Sequence, residues 1–134
     1  AGHSQYVEIK TSRLLEHPKQ RCSFQRFKML KFWIQSFLAG VPTVVVGFRD
    51  DQGVLKKVQQ FKTLELPRAV RANRDAWDPN VCLDLTKRVL DAVWEGTEDG
   101  AQYALRYTPP FECITLERLE RGTDKSFLPE EYRQ

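Results

Sequence analysis

Histidine, methionine and paired cysteine are close to missing from this chain. Its 134 residues include two histidines, His3 and His17, one methionine, and three cysteines, Cys22, Cys82 and Cys113. Neither histidine has a cysteine at ligand spacing, which argues against a zinc site. Odd in number and without paired spacing, the cysteines are expected to be free thiols in a reducing compartment. Long apolar runs are also lacking. The longest, Val41 to Phe48, is broken by Pro42 and Thr43, far short of a membrane span, and no membrane partner is expected.

Hydrophobic residues make up 41% and charged residues 29% of the chain, an ordinary balance for a globular domain with a real core. The net charge of +3 conceals an asymmetry. Residues 1–74 carry 14 Lys or Arg against 5 Asp or Glu, and residues 75–134 carry 7 against 13. A basic first half suits a polyanionic substrate.

That half contains Tyr6-Val7-Glu8-Ile9-Lys10-Thr11-Ser12, an acid and a lysine two apart in a β-prone run. Alternate side chains of a strand share a face, so Glu8 and Lys10 are expected to point one way with Val7 and Ile9 packed behind them. A carboxylate can hold a divalent ion, and a neighbouring ammonium can act on a water or a phosphate. The same spacing on an edge strand also forms ordinary ion pairs.

Residues 13–21, with Pro18, are expected to be a loop, and Ser23 to cap a helix over 24–39 that Gly40 stops. Phe27, Leu30, Ile34 and Phe37 are expected to be buried on it, leaving a narrow stripe of Lys28, Lys31 and Gln35 to face something polar. Val41 to Arg49 reads as a strand, with Val44-Val45-Val46 buried on both faces. Asp50-Asp51-Gln52-Gly53 reads as a turn and Val54 to Thr63 as the partner strand. Residues 64–77 are expected to be irregular. Asp78-Pro79 starts a helix that Gly96 stops, with Val81, Leu85, Val89 and Val93 at helical spacing. Strands are expected over 102–107 and 111–120, and a tail anchored by Phe127, Leu128 and Tyr132. No repeat and no internal domain boundary is evident.

Three blocks in order carry a resemblance: Tyr6 to Ser12, Phe27 to Pro42, and Val46-Gly47-Phe48-Arg49. Asn73 to Pro79 and Phe127-Leu128-Pro129 extend it. Together they resemble the C-terminal half of the DXO-like decapping and 5′→3′ exoribonuclease family, whose fungal members are partners of the nuclear 5′→3′ exoribonuclease. The resemblance implies an α+β fold with a mixed β-sheet, a nuclease core of PD-(D/E)xK type present as its C-terminal half, with residues 1–134 a single partial domain. It implies a divalent metal, Mg²⁺ or Mn²⁺, held by Glu8 and the backbone carbonyl of Ile9. Lys10 would contact the attacking water or the scissile phosphate. Gln35 would bond substrate near the 5′ end, and Lys28 and Lys31 are candidate substrate contacts beside it. The implied substrate is RNA with an incompletely or non-canonically capped 5′ end, and the implied location is nuclear. The family's earlier motifs, an arginine, a glutamate and an E-x-D pair, have no counterpart here, and Asp50 and Asp51 are poor substitutes. The chain is therefore expected to begin inside a larger domain and to need its upstream half. The alternative reading is a non-catalytic module that binds and stabilises a larger exoribonuclease.

Overall fold

A computed structural model describes residues 6–119. The expected tail anchors Phe127, Leu128 and Tyr132 lie outside the described residues. The chain divides into two compact units, one through Pro79 and one from Asn80.

The first unit is a three-stranded sheet carrying one long helical segment. β1 (Val7–Arg13) runs parallel to β2 (Thr43–Arg49), which runs antiparallel to β3 (Leu55–Lys62), in the order β1-β2-β3. The sheet is mixed, and the fold class is α+β. Asp50 closes the β2–β3 turn. Its carboxylate accepts the backbone N–H groups of Gln52 and Val54 at 3.1 and 2.8 Å, and Gly53 takes the left-handed φ of +87° that the turn requires. Gly47 leaves room for the Leu55 side chain, which a Cβ there would meet at 2.9 Å.

Among the described residues, only one face of this sheet is covered. Val44, Val46 and Phe48 are buried, whereas Val45 between them is half-buried, so β2 is not buried on both faces. On β1 the expected packing is reversed. Ile9 is 76% exposed and Val7 is exposed, while Glu8, Lys10 and Ser12 face the helix. The two-residue period is obeyed. The helix lies on the polar side of β1 because that is the side it shares with Val44, Val46 and Phe48.

The helical segment starts earlier than expected and changes pitch. α1 (Pro18–Ser23) has His17 as N-cap and Pro18 at N1, so residues 18–21 are helix and not loop. The Gln20 amide oxygen accepts the N–H groups of Glu16 and His17. A π-helical stretch (Phe24–Met29) follows, then α2 (Leu30–Leu38). The π stretch resets the buried face. Phe24 and Met29 are both buried, although five residues of regular α-helix would set them about 140° apart. Phe32, Trp33 and Ser36 continue that face. Phe27, expected inside, is 61% exposed under the Arg26 guanidinium, and Leu30, Ile34 and Phe37 are only half-buried.

The π stretch is fastened from downstream. The Trp77 indole N–H donates to the Gln25 carbonyl at 3.0 Å, and the Asn73 amide donates to the Cys22 carbonyl at 3.1 Å. Trp77 also stacks on Trp33 with ring centroids 5.1 Å apart. Gly40, at φ +67°, ends α2, and the Val41 N–H returns to the Ser36 carbonyl at 2.8 Å. Thr63, expected to end the strand, and residues 64–70, expected to be irregular, form a 3₁₀ turn (Thr63–Glu65) and α3 (Leu66–Val70). Leu66 and Val70 are buried, and the buried Thr63 hydroxyl donates to the Val41 carbonyl at 2.7 Å.

In the second unit, α4 (Pro79–Gly96) precedes an antiparallel hairpin of β4 (Tyr103–Arg106) and β5 (Thr115–Arg118). α4 has no fully buried residue, and Val81, Leu85, Leu90 and Trp94 are exposed. No helix among the described residues is long and apolar enough to cross a membrane.

Two outcomes test this packing. Trp33→Ala is expected to lower the unfolding free energy by about 3–5 kcal/mol, and Phe27→Ala to change it by about 0.5 kcal/mol or less, in denaturant titrations. Equal losses would contradict the π-set phase. The second concerns Arg13 and Asp51, whose ion pair ties the end of β1 to the β2–β3 turn. The hydrogen bond from Arg13 holds the Asp51 carboxyl below its usual value. A depressed carboxyl contributes stability above its unfolded value, about 3.9, and loses that contribution as pH falls through the folded value. Asp51→Asn is therefore expected to be less stable than wild type at neutral pH and equal to it in strong acid.

Candidate functional site

The covered face of β1 and the underside of the helix form a small polar cluster. The Lys10 ammonium lies 2.5 Å from Glu8 Oε1 and donates to Gln35 Oε1 at 3.0 Å. It also sits 5.7 Å from the ring centroid of the buried Phe32, within cation–π range. The Lys10 side chain is 21% exposed and that of Glu8 37%, so the pair opens to solvent at a partly desolvated seam. A lysine has no acceptor, so the Gln35 amide must turn its oxygen to Lys10 and its NH₂ away. Gln35 thus presents donors to whatever enters the seam.

One step along β1, the Lys28 ammonium donates to the Ser12 hydroxyl at 3.2 Å, and Ser12 is buried. Glu8, Lys10 and Gln35 therefore meet as one cluster, with Lys28 beside it. Lys31 is exposed and makes no described contact with the group. Sequence reasoning missed Ser12 and Phe32. Ser12 was legible from the period of β1, which puts it on the face of Glu8 and Lys10. So was Phe32, which precedes Gln35 by one helical turn in α2 and so lies on the same side of the helix.

The Ile9 carbonyl lies on the other side of the backbone. The Leu14 N–H donates to the Arg49 carbonyl at 2.8 Å, so even-numbered residues of β1 bond toward β2. The alternation along a strand then turns the Ile9 C=O to the outer edge. Glu8 and Ile9 offer two oxygen donors of the kind Mg²⁺ and Mn²⁺ take. They fit part of a metal site, since among the described residues no three His, Cys, Asp or Glu side chains come together. Asp50 and Asp51 serve elsewhere. Burial pushes the Asp50 carboxyl up, but the hydrogen bonds from Lys56, Val54 and Gln52 outweigh it and leave it below its usual value. Asp51 is held by Arg13.

A strand with E-x-K, and a helix across the same sheet that brings a glutamine to the lysine, is the architecture of a PD-(D/E)XK nuclease core. The comparison with known families agrees and is narrower. Residues 1–133 match the family described as RAI1 like PD-(D/E)XK nuclease, and the chain belongs to that family. It is 49% identical over 129 residues to the decapping and exoribonuclease protein of Bos taurus, covering 95% of this chain and 32% of that protein. To the decapping nuclease RAI1 of Chaetomium globosum it is 34% identical over 128 residues, covering 95% and 34%. Among solved structures, Candida albicans Rai1 in complex with pU5-Mn²⁺ superposes with a TM-score of 0.79 at 31% identity, covering 88% of this chain and 33% of that one. Scheffersomyces stipitis Rai1 in complex with (3′-NADP)⁺ and calcium ion gives 0.80 at 30% identity, covering 90% and 32%. The chain thus spans about a third of the length of these relatives.

If Gln35 orients Lys10, Gln35→Leu should leave the Lys10 side chain more mobile, and Gln35→Glu, which keeps an acceptor, should not. Relaxation of the Lys10 Cε methylene by NMR reads this directly. Unchanged mobility in Gln35→Leu would assign the positioning to Glu8 alone.

Proposed function

We propose that this chain supplies the E-x-K part of a divalent-metal-dependent hydrolase acting at the 5′ end of RNA. The observation that carries the reading is the Lys10 ammonium clasped between Glu8 and Gln35 at an exposed seam, in a chain of this nuclease family. Glu8 and the Ile9 carbonyl would hold the ion, with further carboxylates coming from the rest of a larger nuclease domain. When bound, the ion supplies a water of lowered pKa and neutralises phosphate charge. Lys10 would donate to the attacking water or a non-bridging phosphate oxygen. The Gln35 NH₂ would donate to a second oxygen, and Lys28 would offer charge to the next phosphate. Preorganisation is the physical point. Lys10 is already fixed on three sides before substrate arrives, so little is lost in ordering it.

Incompletely or non-canonically capped RNA is the substrate class this reading favours. It is supported by relatives named as decapping nucleases and by solved relatives holding pU5 and a nicotinamide dinucleotide. A nuclear location and association with a nuclear 5′→3′ exoribonuclease belong to the same proposal.

In the full-length protein with Mg²⁺ or Mn²⁺, Glu8→Ala is expected to cut turnover on 5′-triphosphorylated RNA by at least about a hundredfold, as loss of a metal ligand worth several kcal/mol implies. Its circular dichroism should be unchanged, because Glu8 is not in the core. Near wild-type turnover would sink the assignment and leave the binding-module reading standing.

A further inference from the structure

Across the helix from Glu8, the same face of the sheet holds a groove of about 440 Å³. This is within the size range of small-molecule sites. Its floor is aromatic. Phe24 and Phe48 lie with centroids 5.5 Å apart, and the half-buried Phe61 extends them along β3. Gln25 and Gln59 add amides. Both Gln25 oxygens are engaged, the carbonyl by Trp77 and Oε1 by Asn73 at 3.4 Å, so Gln25 offers its NH₂. Arg21 and Lys57 stand at the rim, exposed, and no described ion pair neutralises either. Among the described residues, no Asp or Glu lines the groove.

Two cations with no acidic partner among the described residues, over an aromatic floor with amide donors between them, are complementary to a ring that carries a phosphate. Sheet register places the groove relative to the cluster. Glu8 pairs with Val44, and Val44 with Phe61, two strand spacings or about 10 Å across. We propose that this groove seats one nucleotide of single-stranded RNA, its base against the half-buried Phe61 ring, which the buried Phe24–Phe48 pair backs, and its phosphate between Arg21 and Lys57. The placement downstream of a 5′ end at Glu8 rests on the hydrolase reading. The seat itself does not, and binding without metal separates the two.

The test uses the full-length protein, fluorescein-labelled decauridine, EDTA in place of divalent ions, and fluorescence anisotropy across a salt series. Arg21→Glu with Lys57→Glu should weaken binding at least about tenfold and flatten the salt slope by about 0.7, as losing the one neutralised phosphate requires. Phe61→Leu should weaken it at least about fivefold with the slope unchanged, and Phe61→Tyr should restore it. Uridine 5′-monophosphate should compete only at far higher concentration than the RNA. Losses below twofold overturn the seat, as does a loss confined to the charge-reversed protein, which would mark only a diffuse basic surface. Competition by the mononucleotide at RNA-like concentrations also overturns it, by assigning the groove to a free nucleotide. Because turnover is not measured, a failed Glu8→Ala experiment leaves this result unaffected, and the reverse holds.

Discussion

The hydrogen bond from the Trp77 indole to the Gln25 carbonyl bears on nearly everything else in the first unit. A π-helical stretch widens the turn and leaves backbone carbonyls without their regular partners. It persists where other groups take those carbonyls. Here Trp77 and Asn73 do so, and the stacking of Trp77 on Trp33 adds apolar burial to the same contact. The consequence is rotational. With the extra residue absorbed, Phe24 and Met29 share the core face, and Phe32, Trp33 and Ser36 continue it. Lys28 and Gln35 then overhang β1. Without the π stretch, the part of the helix that packs on Phe48 and the part that reaches Lys10 would fall out of phase.

β1 is the other half of this arrangement. It is an edge strand among the described residues, paired with β2 on one side only. Its alternation sends Glu8, Lys10 and Ser12 under the helix, and the Ile9 carbonyl out to the edge. An edge strand that turned apolar side chains to its covered face would add to the core but present no chemistry. Here the covered face is polar, and each polar group meets a counterpart: Glu8 with Lys10, Lys10 with Gln35, Ser12 with Lys28. Desolvation makes such pairs costly to leave half-made. The helix phase is therefore specified from below as well as from Trp77.

Much of this was legible in the residues. The strands follow from β-branched runs bounded by Gly40 and by the Asp50–Gly53 turn, and the pairing of Glu8 with Lys10 follows from a period of two. The start of α1 was also legible but missed, since Pro18 at N1 is a helix-start signal. What could not be read was the pitch change. At a uniform 100° per residue, Phe27 points inward and Phe24 lies beside the polar stripe, and the structure exchanges them. No local propensity encodes that exchange, because it depends on Trp77, some fifty residues downstream. The exposed Val7 and Ile9 have the same origin. Hydrophobicity alone does not say which face of an edge strand a helix will cover.

The charges follow a related division. Lys10 is neutralised by Glu8, so the pair adds little long-range field, however well it serves a phosphate at contact. Attraction for a polyanion must come from cations that Glu or Asp does not pair, and among the described residues these include Lys28 and Lys31 on the helix and Arg21 and Lys57 at the groove. These side chains are exposed, and their field is screened over about 10 Å at 0.1 M salt. The proposed chemistry would thus sit at a partly desolvated seam, where contact geometry matters most. Capture is spread over exposed cations whose contribution salt can tune. On the proposed hydrolase reading, the excess of basic residues in the first half of the chain would serve association, and Glu8-x-Lys10 what happens after it.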